Sequence, residues 1–235
     1  MSEMAHPASG HGVHAPELVH QFETVEQQRE ASTLGMWLFL ATEILFFGGM
    51  FCSYLIYRTL HPQAFEIGSH LLEVKFGATN TVVLICSSLT MAMAIYSAQT
   101  GKSKARIIFY LVVTMLLGLA FIAIKLYFEW YHDYLERIVP GVAFTYRPEW
   151  GTHGPLVQMF MVFYFLMTGV HAIHMIVGVG ILTVLIIMTA RGKFGPTYST
   201  PLDISGLYWH FVDIIWIFLF PLLYLIGGRY TTGGH

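Results

Sequence analysis

The chain has 235 residues, of which 55% are hydrophobic and only 11% charged, with a mean hydropathy of +0.60. A soluble domain carries about a quarter charged residues, so the composition excludes an ordinary soluble globule and indicates an integral membrane protein. The formal net charge of −2 offers no basic surface for nucleic acid.

Residues 1–30 are polar and mostly acidic, with His6, His11, His14 and His20 scattered among Gly, Pro and Ala. The histidines have no fixed spacing, so a solvated, partly disordered tail is expected rather than a metal site. No basic flank precedes an apolar core, so no cleavable signal peptide is expected. Residues 24–33 read as an amphipathic lead-in to the first apolar run. Five runs then approach or exceed the ~20 residues needed to cross ~30 Å of hydrocarbon: about 34–57, 76–98, 107–131, 156–190 and 206–226. The fourth is too long for a perpendicular crossing and must tilt or project. The expected fold is all-α: a bundle of five transmembrane helices over residues 31–230, between the polar tail and a short end at 231–235. Gly77, Ala78, Thr81, Ser88 and Ala92 on the second span are small residues of the kind that pack helices closely. Cys52 and Cys86 lie in separate apolar runs and read as small buried hydrophobes.

Orientation follows from the basic loops. The tail and the loops at 99–106 and 191–203 fall on one side and hold Arg29, Lys102, Lys104, Arg106, Arg191 and Lys193. The opposite side holds Arg58, Lys75, Arg137, Arg147 and Arg229, diluted by Asp133, Glu136 and Glu149. The positive-inside rule then predicts a cytoplasmic N-terminus and an outside C-terminus. The long loop 132–155 would lie outside, with turns at Pro140-Gly141, Pro148 and Gly151 and Trp150 at the headgroup level.

Ionisable residues inside the spans carry the chemistry, because they are costly there and tend to face protein or water. Glu43 is ~14 Å along the first helix from Leu34 at ~1.5 Å per residue, near mid-membrane. It must be protonated, hydrogen-bonded or beside water. Lys125 and Glu129 are four apart on the third span, at its outer boundary, and read as a snorkelling ion pair. His171 and His174 share a stripe of the fourth span with Tyr164, Thr168 and Gly178. Gly178 and Gly180 would admit a neighbouring backbone. His210 and Asp213 are three apart at the start of the fifth span, where Asp213 can hold His210 in one tautomer or receive its proton. Pro221 lies near the far end of that helix. Three readings of Glu43, His171, His174, His210 and Asp213 stay open on spacing alone: a metal or haem site, a proton or ion path, or a structural polar network.

Tyr208-Trp209-His210-Phe211-Val212-Asp213, followed by Trp216, resembles the signature of subunit III of the haem–copper respiratory oxidases. Further motifs follow the family order. Gly35-Met-Trp-Leu-Phe-Leu-Ala-Thr-Glu43-Ile-Leu-Phe-Phe resembles its first retained helix, with Glu43 on the acidic position known there for carbodiimide reactivity. Asn80-Thr81, Glu129-Trp130-Tyr131 with Pro140-Gly141, and Thr168-Gly169-Val170-His171-Ala172-Ile173-His174 with Gly178 resemble the next three helices. The resemblance covers residues ~30–228.

The resemblance implies a non-catalytic subunit with no haem, copper or other metal of its own. Redox centres would lie in partner subunits, with subunit I, and subunit II, as protein partners. It further implies support of proton uptake by subunit I, bound phospholipid, and protection of the oxidase during turnover. It also places Arg191 where a basic residue meets a lipid headgroup. Longer members carry two more N-terminal helices that wall a lipid cleft; here the polar tail stands in their place. The acid at Glu43 points to cytochrome c as donor to the complex, in a bacterial inner membrane. The alternatives are a quinol oxidase subunit III, a nitric-oxide-reductase accessory subunit, or, from another class, a free-standing proton channel or metalloprotein.

Overall fold

The computed structural model describes residues 24–141, 144–195 and 198–226. The expectations for the His-containing tail at 1–23 and for Arg229 lie outside these residues.

The lead-in and first span form one helix, α1 (Val25–Leu60), whose 36 residues extend about 54 Å. Thr24 caps it, its hydroxyl accepting from the Gln27 N–H at 3.1 Å. Pro62 then opens a short helix, α2 (Pro62–His70), where its missing N–H costs nothing. It lays Ala64, Phe65, Gly68 and Ser69 inward, with Gly68 close against Phe160. Next come α3 (Val74–Gln99) and α4 (Lys104–Ala123). They are joined by a tight turn at Gly101, whose φ of +65° suits glycine. The α4 helix continues through a π-helical stretch, Ile124–Trp130, into α5 (Tyr131–Leu135). After the long loop, a 3-10 turn at Pro148–His153 leads into α6 (Gly154–Ala190), about 55 Å long, and then α7 (Thr200–Tyr224). Five of these helical stretches are long and apolar enough to span a membrane, so the chain is a multi-pass membrane protein.

The α7 helix is the core of the bundle and α1 its periphery: 56% of the most apolar window of α7 is buried in the chain, against 17% for α1. Lipid is as apolar as leucine, so packing relies on close fit and hydrogen bonds rather than water exclusion. Both are visible around α7. Trp209 projects between α4 and α6, where Gly118 and Gly178 leave the room. A Cβ at those positions would lie 2.7 Å and 2.9 Å from the indole. The close approach expected at Gly178 is therefore made by a side chain, not a backbone, and Gly180 has nothing near it.

Small residues of α3 face α7 at helical spacing. Trp216 Nε1 donates to Thr81 Oγ1 at 3.1 Å, and Trp209 Nε1 to Ser87 Oγ at 3.1 Å. Gly77 takes the rings of Phe220 and Tyr224. Ala78 and Ala92 point outward instead. Thr90 and Thr114 join α3 to α4 at 2.8 Å, and Tyr54 of α1 donates to the Leu222 carbonyl of α7 at 2.7 Å.

The outward faces carry Trp37, Leu38, Leu45, Leu89, Phe109 and Ile173, as an apolar solvent requires. Cys52 and Cys86, expected to be buried, are exposed on these faces, because each falls on the side of its helix turned from the bundle. Trp150 is buried, packed on Phe144 and beneath Arg147, which itself pairs with Glu136 at 2.7 Å. The loop thus folds on itself and holds this ring inside.

Candidate functional site

The polar residues of the spans do not form one network. They divide into a groove on one side of α6, separate positions around α7, and a cluster at the end of the bundle that carries the 132–155 loop.

The groove lies where α1 parts from α6 and α7. One part, of about 550 Å³, is lined mainly by Met36, Phe39, Ile173, Val177, Ile181 and Tyr208. A wider part of about 890 Å³ adjoins it at Ile204 and runs to the end of the bundle. There the lining is polar, with Arg29, Glu30, Ser32 and Thr33 of α1 facing Ser199 and Thr200. The whole is apolar in its depth and charged at its mouth.

Glu43 and His174 sit in the apolar part, 18% and 17% exposed. His174 Nδ1 is 2.8 Å from the Val170 carbonyl, four residues back on α6. A carbonyl only accepts, so Nδ1 bears a hydrogen. Nε2 lies 3.1 Å from Glu43 Oε2, and that contact needs a proton of its own. It is either a carboxylic acid donating to neutral imidazole or a carboxylate beside imidazolium, so the pair stores one proton in both forms. Tyr208 OH donates to the His174 carbonyl at 2.9 Å, and Phe47 packs 5.3 Å from the imidazole. The ring is thus held from α1, and the backbone that carries it from α7.

His171 is one turn away but belongs elsewhere. It is 1% exposed, set between Phe121 and Trp216 at ring distances of 5.4 and 5.3 Å, and neither ring nitrogen has a hydrogen-bond partner. Three residues on a helix turn about 60° short of a full circle, enough to put His171 in the core and His174 in the groove.

His210 and Asp213 also separate. His210 Nδ1 is 2.6 Å from Ser88 Oγ on α3. Asp213 is 3% exposed with both carboxylate oxygens unpartnered. The expected tautomer-holding bond between them is not formed, since Ser88 supplies the partner from across the helix interface. Among the described residues, no three His, Cys, Asp or Glu side chains are grouped as metal ligands, so His171, His174 and His210 do not converge as the metalloprotein alternative requires. Arg191, at the end of α6, is exposed beyond the core.

Lys125 and Glu129 do pair, at 2.6 Å, but they do not snorkel: the side chains are 1% and 4% exposed. The π-helical turn carries them into the bundle against Tyr164 and Tyr224. Lys125 also faces the rings of Tyr164 and Trp216, at 4.5 and 5.2 Å. Sequence reasoning placed this pair at a boundary and missed Tyr224, Asp133, Ser88 and Tyr208 as partners. The available signal was the Lys–Glu spacing with Tyr164 on the facing helix stripe.

Comparison with known proteins agrees with this architecture. Residues 151–228, which contain all of α6 and α7, match the family model described as "Cytochrome c oxidase subunit III". Relatives align over nearly their full length. A probable quinol oxidase subunit 3 of Staphylococcus haemolyticus is 29% identical over 215 residues, 90% of this chain and 98% of the relative. That of Staphylococcus saprophyticus is 28% identical over 88% of this chain and 96% of the relative. That of Staphylococcus aureus strain USA300 is 29% identical over 90% and 98%. Over these residues, and along nearly the whole length of these relatives, the chain is similar to subunit III of the haem–copper oxidases.

Proposed function

We propose that this chain is the non-catalytic third subunit of a quinol-type haem–copper oxidase in a bacterial plasma membrane. The reading rests on the near full-length similarity to proteins named probable quinol oxidase subunit 3. It replaces the expectation of cytochrome c as donor, which had leaned on the acid at Glu43. Glu43 is engaged locally with His174, and its identity carries no information about a donor that binds elsewhere.

In this role the chain packs beside subunit I, where haem and copper reside, and contributes position, lipid and proton supply rather than a redox step. The groove supports the lipid part of the reading. Its apolar depth suits an acyl chain, and Arg29 beside Glu26 and Glu30, with Ser32 and Thr33, suits a zwitterionic headgroup at its mouth. The starts of α1 and α7 meet there, and Gln99 bonds Asp203 at 2.9 Å, so the loops richest in Lys and Arg gather at one end. That end is assigned to the cytoplasm by the positive-inside rule.

The test is to purify the assembly by a tag on this chain and measure oxygen uptake with a quinol and with reduced cytochrome c. Uptake with quinol, and a copurifying haem–copper subunit, are expected. Uptake with cytochrome c alone would overturn the donor, and absence of any such subunit would overturn the role.

A further inference from the structure

The cluster at the end of the bundle bearing the 132–155 loop takes no part in the groove. Lys125 Nζ reaches Glu129 Oε2 at 2.6 Å, Tyr164 OH at 2.9 Å and Tyr224 OH at 2.6 Å, which uses the three hydrogens of an ammonium. Tyr164 OH donates to Glu129 Oε2 at 3.0 Å, and Tyr224 OH donates to it as well. Every donor therefore converges on one carboxylate oxygen. The other, Glu129 Oε1, accepts nothing, and neither does Asp133 Oδ2, although each residue is only 5% exposed.

Both residues line one small cavity between α5, α6 and the turn that joins α2 to α3. Its free volume is about 10 Å³, close to what a single water needs. Leu72 and Tyr164 form its inner wall, while the exposed Glu73 and His132 form its lip. The charged and titratable groups around it are Lys125 and Glu129 on the π-helical turn, Asp133, His132 and Glu136 on or next to α5, Glu73 on the turn, and the phenols Tyr164 and Tyr224 on α6 and α7. His132 and Glu136 face each other at the surface, 3.6 Å apart. Inside, two carboxyl groups stand against one ammonium, with no donor left for two of their oxygens.

We infer that this cavity binds one water molecule, through which Glu129 Oε1 and Asp133 Oδ2 share one exchangeable proton. A proton balances the second carboxyl in a medium where unpaired charge is expensive. The water then donates to one oxygen and accepts from the protonated carboxyl, so each unpartnered oxygen gains a bond. An anion is repelled by the two carboxyl groups, and a hard cation needs more oxygen ligands than the two available. On release the proton passes to the water and out past Glu73 and His132. The site is distinct from the Glu43–His174 pair and does not depend on the quinol assignment.

Infrared spectroscopy of the full chain in its native membrane assembly tests this, with spectra in H2O and D2O for wild type, Asp133→Asn and Glu129→Gln. The expected result is a protonated-carboxyl band that shifts on transfer to D2O and is lost or displaced in both variants. His132→Trp, at the exposed lip, should keep the band and slow its deuterium shift several-fold. A spectrum unchanged by both carboxyl substitutions would show that the pair holds no proton. A band that never exchanges in D2O would show a sealed acid with no water path. Either result overturns the proposal. If Asp133→Asn does not accumulate, the Glu129→Gln and His132→Trp readouts decide it.

Discussion

The indole of Trp209 occupies the space that a side chain at Gly178 would need: a Cβ there would meet the ring 2.9 Å away. The same indole lies over Gly118 of α4 and donates to Ser87 of α3. One side chain thus sets the distance between α7 and three other helices.

Gly178→Val is therefore expected to overpack the bundle and destabilise it by about 1–3 kcal/mol. Gly180→Ala, two residues on with nothing within 4 Å, should have no measurable effect. Thermal unfolding of the purified assembly, followed by loss of this chain from it, compares the two. Equal effects would mean that Trp209 is not seated as described.

The buried cation offers a larger effect. Lys125→Met removes the ammonium paired with Glu129 and leaves its carboxylate against two phenols. Breaking one partner of a buried pair costs about 3–5 kcal/mol. Combining Lys125→Met with Glu129→Gln removes both charges and should restore much of the loss. A double-mutant cycle on the stability of the assembly measures the coupling. Independent, additive losses would place both groups in water rather than in the core.

These two cases also show what the sequence carried. Five apolar lengths were readable because crossing hydrocarbon demands them, and the motif around Trp209 and His210 carried the resemblance to subunit III. Partner choice was not readable. His210 and Asp213 share a helix face by spacing, yet the hydroxyl that reaches His210 comes from Ser88, 122 positions away. His171 and His174 share a motif but face a core and a groove. Lys125 was misplaced because a regular helix was counted from Ile107. The π-helical turn at Ile124–Trp130 leaves no mark in hydropathy, and burial of a lysine depends on Tyr224, at the far end of the chain.

The groove yields a test of lipid occupancy. Val177 and Ile181 lie one turn apart on α6 along its apolar wall. Replacing the half-exposed Val177 by Trp fills part of that space from outside the bundle core. The assembly should still form, with less phospholipid retained after delipidation, as read by mass spectrometry of extracted lipid. Retention equal to wild type would place the bound lipid elsewhere.

Glu43 gives the sharpest separation between support and catalysis. Its contact with His174 Nε2 needs one proton, because Nδ1 is committed to the Val170 carbonyl. A glutamine amide can supply that hydrogen from its nitrogen, so Glu43→Gln should preserve the α1–α6 contact. The assembly is expected intact, with initial oxygen uptake close to wild type. Glu43→Leu cannot donate and leaves Nε2 facing an apolar neighbour; the loss should sit near the lower end of the ~1–3 kcal/mol typical of an unsatisfied group, since the pair is partly exposed. Subunit stoichiometry and initial rates, measured on the same preparations, distinguish the outcomes. If Glu43→Gln abolished oxygen reduction in an intact assembly, the pair would be delivering protons to the reaction rather than holding α1 against α6.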